Sequence, residues 1–239
     1  KRNLVYFENI HTVRRLPMQK KNNWLLILSA VLCCGIMAVV DGVIQPGYAV
    51  KSAIKISLFL AVPFLVSRFC KELRFARLFR FRREGLLPAL GLGAAVYAVI
   101  LGGYFLLRGW IDFSGIVDSL SSGAGVNKNN FLFVSLYISF INSLLEEFFF
   151  RGFLFANLKA SSTCRFAYIF SSLMFALYHV AMMIGWFHPA VTLLLIAGLM
   201  VGGMIFNFLN EKQENICTSW LVHMFANFAI NTIGFILMS

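Results

Sequence analysis

Long runs of hydrophobic residues, separated by short polar or charged clusters, dominate the chain. A helix needs roughly 20 apolar residues to cross the hydrocarbon region of a bilayer, and most of these runs are about that long. The pattern therefore predicts an all-α fold, a polytopic membrane bundle of about seven transmembrane helices. The runs lie at approximately 24–40, 53–69, 86–107, 131–158, 166–184, 189–209 and 217–238.

The second run, 53–69, fits this pattern least well because it contains Lys55 and Pro63. A charged side chain near the bilayer centre costs about 2.5 kcal/mol or more on insertion scales. We therefore expect either that Lys55 reaches back to the interface or that this helix begins after it. The polar, basic N-terminal 23 residues lack a small-residue cleavage site after the first run, so no cleavable signal peptide is predicted.

Composition and charge agree with a membrane protein. Hydrophobic residues make up 59% of the chain and charged residues 13%, with a mean hydropathy of +0.78. The net charge of +11 would suggest a nucleic-acid partner in a soluble protein. Here most Lys and Arg residues fall in alternate connections: six before residue 24, seven in 68–83, two in 159–165 and one at Lys212. The positive-inside rule then predicts a cytoplasmic N-terminus, and we expect no nucleic-acid partner.

The two halves of the chain differ in the polar residues that their helices carry. The first three runs have few, whereas the last four contain carboxylates, histidines and asparagines. We interpret residues 1–23 as a cytoplasmic basic tail, 24–107 as a three-helix membrane scaffold and 131–239 as a four-helix catalytic core.

Three sets of polar or aromatic residues in the catalytic core have helical spacing. Residues four apart lie on one face of a helix, which predicts an ion pair within the fourth run and leaves the preceding glutamate without a partner in its own helix. The sets are Glu146, Glu147 and Arg151 in the fourth run, Phe175 and His179 in the fifth, and His223 and Asn227 in the seventh.

A common depth is predicted for several of these side chains. Counting ~1.5 Å per residue from the predicted cytoplasmic end of each helix, Glu146, His179 and Asn227 each lie roughly 18 to 20 Å deep. His223 lies one turn closer to the cytoplasm. A single cavity that opens toward the cytoplasm could collect all four side chains.

The motifs E-E-x-x-x-R, F-x-x-x-H and H-x-x-x-N, in this order on separate hydrophobic helices, resemble those of the CPBP family. That family includes the eukaryotic CAAX prenyl endopeptidases and bacterial proteins of peptide processing and bacteriocin immunity. The resemblance covers about residues 131–239 and implies an intramembrane endopeptidase acting on a membrane-associated peptide or protein. A short seven-helix chain with a basic tail is more similar to the bacterial plasma-membrane members of this family than to its eukaryotic members. Oligomeric state is not predicted.

Peptide hydrolysis requires an activated water molecule and donors for the developing oxyanion. We assign Glu146 as the candidate general base and His179 as the residue that holds the same water and returns the proton to the leaving amine. The resemblance implies His223 and Asn227 as oxyanion donors. We assign structural or orienting roles to the remaining motif residues, Glu147, Arg151 and Phe175.

Two other interpretations are compatible with the same residues. Glu146, His179 and His223 form a ligand set that zinc accepts, although no H-E-x-x-H motif is present and a ligating glutamate could not act as the base. We expect no cofactor and keep a zinc-dependent version of the protease as the alternative. A non-catalytic scaffold or bacteriocin-immunity protein is the second alternative. A transporter with a proton relay is disfavoured because no internal repeat is visible.

Overall fold

A computed structural model describes residues 20–70, 73, 75, 78–80, 82–123 and 125–239. Regular structure within these ranges is entirely helical, without any strand, which confirms the predicted all-α fold. Residues 1–19 of the predicted basic tail lie outside the described residues.

In the part of the chain that the structure describes, seven helices are long and apolar enough to cross a membrane, as the hydrophobic runs predicted. The chain is therefore an integral, multi-pass membrane protein. Which side of the membrane the N-terminus faces stays a prediction. The helices are α1 Asn23–Ile44, α2 Tyr48–Phe69, α3 Arg83–Leu107, α4 Phe131–Ser161, α5 Cys164–Met183, α6 Pro189–Gln213 and α7 Cys217–Met238.

Helix α2 corrects one expectation. It begins at Tyr48, two turns before Lys55, and the lysine is only 4% exposed, so it neither reaches the interface nor precedes the helix. The expectation was wrong because it ignored a counter-charge on a distant helix. Lys55 Nζ lies 2.5 Å from a carboxylate oxygen of Glu146 on α4. An ion pair between helices lets a lysine lie within a hydrophobic bundle.

Helix α4 is irregular along much of its length. It widens into π-helical turns at Tyr137–Asn142 and again at Glu147–Phe155. In such turns the backbone hydrogen bonds join residues i and i+5, so the backbone carbonyls have different partners from those in a regular α-helix. Side chains of α7 bind carbonyls in and just before the first of these turns and so fix the two helices together. They are Asn227 to Ile138 at 3.1 Å, Asn231 to Ser135 at 3.1 Å and Trp220 to Phe140 at 3.2 Å.

Close contacts hold helix α5 in place. A Cβ atom at Gly203 of α6 would lie 3.1 Å from Ser172 of α5, so the glycine permits near contact of the two backbones. Asn207 Nδ2 of α6 donates to Ser172 Oγ at 3.1 Å. On the other side, Ser171 Oγ donates to the carbonyl of Phe150 on α4 at 2.9 Å. These contacts set the position from which α5 presents its histidine.

A layer of aromatic side chains fills the space between α2, α4 and α5. Phe59 stacks on Phe149 with ring centroids 4.1 Å apart, and Phe150 meets Phe175 edge to face at 5.4 Å. These rings are at most 2% exposed. Dense packing of this kind leaves neighbouring polar side chains little freedom to change rotamer.

Candidate active site

The three motifs meet at one point inside the bundle. Glu146 Oε2 of α4 lies 3.8 Å from His179 Nε2 of α5 and 3.6 Å from His223 Nε2 of α7. The Glu146 side chain is 3% exposed, and the two imidazoles are 13% and 7% exposed. Three residues on three different helices therefore form a single buried cluster.

The two oxygens of Glu146 have different surroundings. Oε1 accepts hydrogen bonds from Lys55 Nζ at 2.5 Å and from Asn142 Nδ2 at 3.0 Å. Oε2 is buried and has no hydrogen bond to any residue that the structure describes. It faces the two imidazoles at distances longer than a hydrogen bond. One oxygen is thus held by the protein and the other is available for chemistry.

Lys55 and Asn142 were missing from the predicted site. Asn142 lies one turn before Glu146 on α4, so the expectation that this glutamate has no partner in its own helix was wrong. A signal for Lys55 did exist in the sequence. Ionisable residues within membrane helices usually pair with one another, and the second and fourth runs each contained one with no predicted partner.

The backbone of α5 determines which nitrogen of His179 carries hydrogen. His179 Nδ1 lies 2.7 Å from the carbonyl oxygen of Phe175, one turn earlier. A carbonyl can only accept, so Nδ1 is the donor and, in the neutral ring, Nε2 keeps its lone pair. This lone pair is directed toward the Glu146 carboxylate.

His223 is oriented in the same way by a carboxylate. Its Nδ1 donates to Glu147 Oε1 at 2.9 Å, which leaves Nε2 facing Glu146. The imidazole also stacks on Phe206 of α6, with ring centroids 5.0 Å apart and planes 21° from parallel. A hydrogen bond at one edge and an aromatic ring on one face fix this ring.

The predicted ion pair between Glu147 and Arg151 is present and both side chains are fully buried. Arg151 Nη1 lies 3.1 Å from Glu147 Oε1, but none of the guanidinium nitrogens has hydrogen-bond geometry to a described residue. Instead, the guanidinium lies 4.1 Å from the ring centroid of Phe175 and 4.8 Å from that of Phe206. Charge and cation–π attraction hold Arg151, and Phe175 contacts both this cation and His179.

Asn227 lies farther from Glu146 than its predicted depth implied. Its amide donates to the carbonyl of Ile138, about two helical turns before Glu146 on α4, while His223 lies level with the glutamate. The prediction was one turn off because it placed the start of α7 at the membrane surface. Asn215, just before α7, is 1% exposed, so the helix begins inside the protein.

The alternative zinc ligands Glu146, His179 and His223 do come together here. The Lys55 ammonium, 2.5 Å from the same carboxylate, would repel a divalent cation at this position. Among residues 20–70, 73, 75, 78–80, 82–123 and 125–239, no group of three or more His, Cys, Asp or Glu side chains has the spacing of a metal site. A chelation experiment tests whether the activity depends on a metal.

Comparison with models of known protein families gives a match in the second half of the chain. Residues 128–229 match the family model described as type II CAAX prenyl endopeptidase Rce1-like. The match spans all three motifs and ends before the last turns of α7, and it agrees with the resemblance carried by the motifs. No curated protein and no solved structure matches the chain. Residues 128–229 are thus similar to the type II CAAX prenyl endopeptidases of the Rce1-like family.

Proposed function

We propose that this protein is an intramembrane endopeptidase that hydrolyses a peptide bond of a membrane-associated peptide or protein with a water molecule activated by Glu146. The observation that carries the proposal is the arrangement around Glu146 Oε2. This buried oxygen has no hydrogen bond to a described residue and faces the Nε2 atoms of two histidines at 3.6 and 3.8 Å. Glu147 Oε2 is also unsatisfied, so the two imidazoles facing Glu146 Oε2, and not the missing hydrogen bond alone, support a catalytic role for Glu146.

In the first step, a water molecule donates one hydrogen bond to Glu146 Oε2 and the other to the Nε2 lone pair of His179. Glu146 takes the proton as the water oxygen adds to the carbonyl carbon of the substrate. Both acceptors are already oriented in the protein, by Lys55 and Asn142 on one side and by the Phe175 carbonyl on the other. Little reorganisation is then needed to reach the transition state.

In the second step, donors stabilise the tetrahedral oxyanion and the carbon–nitrogen bond breaks. In its doubly protonated form, His223 donates from Nε2 while Nδ1 stays bonded to Glu147. Asn227 uses one amide hydrogen on Ile138, and we assign the other to the oxyanion. The proton taken from water passes through His179 to the leaving amine, which gives one carboxylic acid and one amine.

Glu147, Arg151 and Phe175 act as orienting residues in this proposal. Glu147 bridges the Arg151 guanidinium and His223 Nδ1, so the buried ion pair determines which way the imidazole faces. Phe175 supplies a ring face to Arg151 and a carbonyl to His179. The substrate class that we propose is a peptide precursor or a bacteriocin-like peptide in a bacterial plasma membrane, cleaved without a cofactor.

Cleavage by the purified protein in proteoliposomes tests this function. A pool of synthetic membrane-active peptides, with and without a prenylated C-terminal cysteine, would be incubated with wild type, Glu146→Gln and Glu211→Gln. Glu211 is the matched control because it lies near the end of α6 and pairs with Lys159 instead of the site. We expect new peptide termini by mass spectrometry with wild type and Glu211→Gln only. A wild type that cleaves no peptide in the pool, while a Glu146→Gln gene still complements a deletion strain, would favour the scaffold alternative.

A further inference from the structure

Helix α2 brings a charge into the site from outside the region that matches the protease family. Lys55 Nζ lies 2.5 Å from Glu146 Oε1 and 2.5 Å from Asn142 Oδ1. The ammonium also lies over the rings of Phe59 and Tyr178, 5.5 and 4.8 Å from their centroids. The lysine is therefore enclosed by a carboxylate, an amide oxygen and two aromatic rings.

We propose that Lys55 is a positioning residue for the general base: by holding Oε1 of Glu146, it directs Oε2 toward His179 and His223. The inference rests on the proposed function and extends it to the first three helices, which carry none of the three motifs. Lys55 does not touch the substrate in this account. It acts through Glu146.

The geometry explains why a second helix is needed for this task. The terminal torsion of a glutamate side chain has broad, roughly two-fold energy minima, so a carboxylate rotates unless donors fix it. Asn142 lies on the same helix as Glu146 and provides one hydrogen bond to Oε1 at 3.0 Å. Lys55 adds a charged donor from a different direction, and its bond to Asn142 Oδ1 closes a three-membered network. Both donors act on the same oxygen, which leaves the other free.

Charge balance supports the same role. Apart from the two imidazoles, the buried cluster contains two carboxylates, Glu146 and Glu147, and two cations, Lys55 and Arg151. Each carboxylate has its own counter-ion, which offsets the cost of removing the charges from water. Without Lys55, the Glu146 carboxylate would be left uncompensated in the bundle core.

Lys51 provides a matched control on the same helix. It lies one turn before Lys55 and forms an ion pair with Asp41 of α1 at 2.6 Å. Its side chain is 20% exposed, compared with 5% for Lys55, and its partner is outside the proposed active site. The substitution Lys51→Met thus removes a lysine and an ion pair of α2 without touching Glu146.

The first test compares kcat and KM for wild type, Lys55→Met, Lys55→Gln and Lys51→Met on a peptide that the wild type cleaves. Loss of a residue that orients a catalytic group typically costs 10- to 100-fold, so we expect Lys55→Met to lower kcat by about that factor. We expect KM to change little because Lys55 does not contact the substrate. Lys55→Gln keeps a donor without the charge and should show a smaller loss. Lys51→Met should stay within about twofold of wild type.

The second test needs no substrate. Thermal unfolding midpoints would be measured for wild type, Lys55→Met, Glu146→Gln and the double variant. Removing one partner of a buried ion pair leaves the other unpaired, so the double variant should unfold at a higher temperature than Lys55→Met alone. Additive losses would contradict the contact.

The outcomes separate this inference from the proposed function. If the wild type cleaves peptide and Lys55→Met or Lys55→Gln matches its kcat, Lys55 does not position the base, although the protease function stands. If Lys55→Met does not fold, the kcat of Lys55→Gln decides: a lower value than wild type supports the positioning role, and an equal value contradicts it. A wild type that cleaves nothing overturns the protease function, and the positioning role falls with it whatever the unfolding data show.

Discussion

Two neighbouring glutamates on α4 belong to two different regions of the bundle. Glu147 lies in a region built by α4, α5, α6 and α7, where its counter-ion is Arg151, four residues later on the same helix. Glu146 faces α2, and its counter-ion is Lys55, 91 residues earlier in the chain. Both carboxylates are buried, but the pair of Glu147 is complete within one helix.

Both glutamates keep a buried Oε2 without a hydrogen bond to a described residue, so the two imidazoles that face Glu146 Oε2 distinguish the regions functionally. Glu147 uses Oε1 for both Arg151 and His223 Nδ1, so its charge orients other groups. Glu146 uses Oε1 for its partners and directs Oε2 between two imidazoles. We infer that Glu147 stabilises the site and that Glu146 performs the chemistry. Substitutions in the two regions should therefore separate loss of activity from loss of stability.

The largest effect is expected for Glu146→Gln. The amide cannot take a proton from water, so kcat should fall by about 10²- to 10⁴-fold, the usual contribution of a general base. The variant should still fold, because its amide oxygen can accept from Lys55. Peptide cleavage and size-exclusion chromatography in detergent measure both properties. A variant that retains near wild-type kcat would remove Glu146 from the mechanism.

The next effect concerns stability in the other region. Arg151→Met leaves the fully buried Glu147 carboxylate without its counter-ion, which should lower the free energy of unfolding by roughly 3 to 5 kcal/mol. Denaturant titration of the purified protein measures the change. The double variant Glu147→Gln/Arg151→Met should recover part of the loss, because neither remaining side chain is charged. Full stability of the single variant would show that the pair is not a structural element.

The two histidines sharpen the comparison because His223 contacts both glutamates, whereas His179 faces Glu146. His179→Ala and His223→Ala should each lower kcat by about 10²-fold. Only His223→Ala should also lower the unfolding temperature, because it removes the donor to Glu147 Oε1, whereas His179 Nδ1 donates to a carbonyl of its own helix. Equal losses of stability would contradict this distinction.

The smallest effects are expected for two asparagines of α7. Asn227→Ala removes one interhelical hydrogen bond to α4 and Asn231→Ala removes two, and such a bond in membrane proteins contributes about 0.6 to 2 kcal/mol. Asn231→Ala should therefore lose at least as much stability as Asn227→Ala. Only Asn227→Ala should also reduce kcat, because its second amide hydrogen is assigned to the oxyanion. If both variants keep wild-type kcat, Asn227 is a structural residue.

Hydropathy was sufficient to predict the seven helices because a bilayer leaves few alternatives for a spanning segment. Backbone groups in hydrocarbon must be satisfied within the protein, so long apolar runs become helices. Bounds were less certain where polar residues continue a helix, as at Tyr48 before Lys55. The π-helical turns of α4 were not predicted, since hydropathy does not report the hydrogen-bond register within a helix.

The site was predicted in part for a related reason. Spacing within one helix identified Glu147 with Arg151, and the motifs identified the side chains that converge on Glu146. The contact with Lys55 joins two helices far apart in the chain, and no local pattern encodes it. The predicted depth of Asn227 was wrong because the connection before α7 is buried, which shifts that helix inward.

The most direct test of the account is peptide cleavage by purified wild type and Glu146→Gln, each with and without a metal chelator. Activation of water by the Glu146 carboxylate predicts cleavage by the wild type that the chelator does not change, and no cleavage by the variant. Wild-type cleavage that is lost with chelator and restored by added zinc would contradict it, and would make Glu146, His179 and His223 metal ligands.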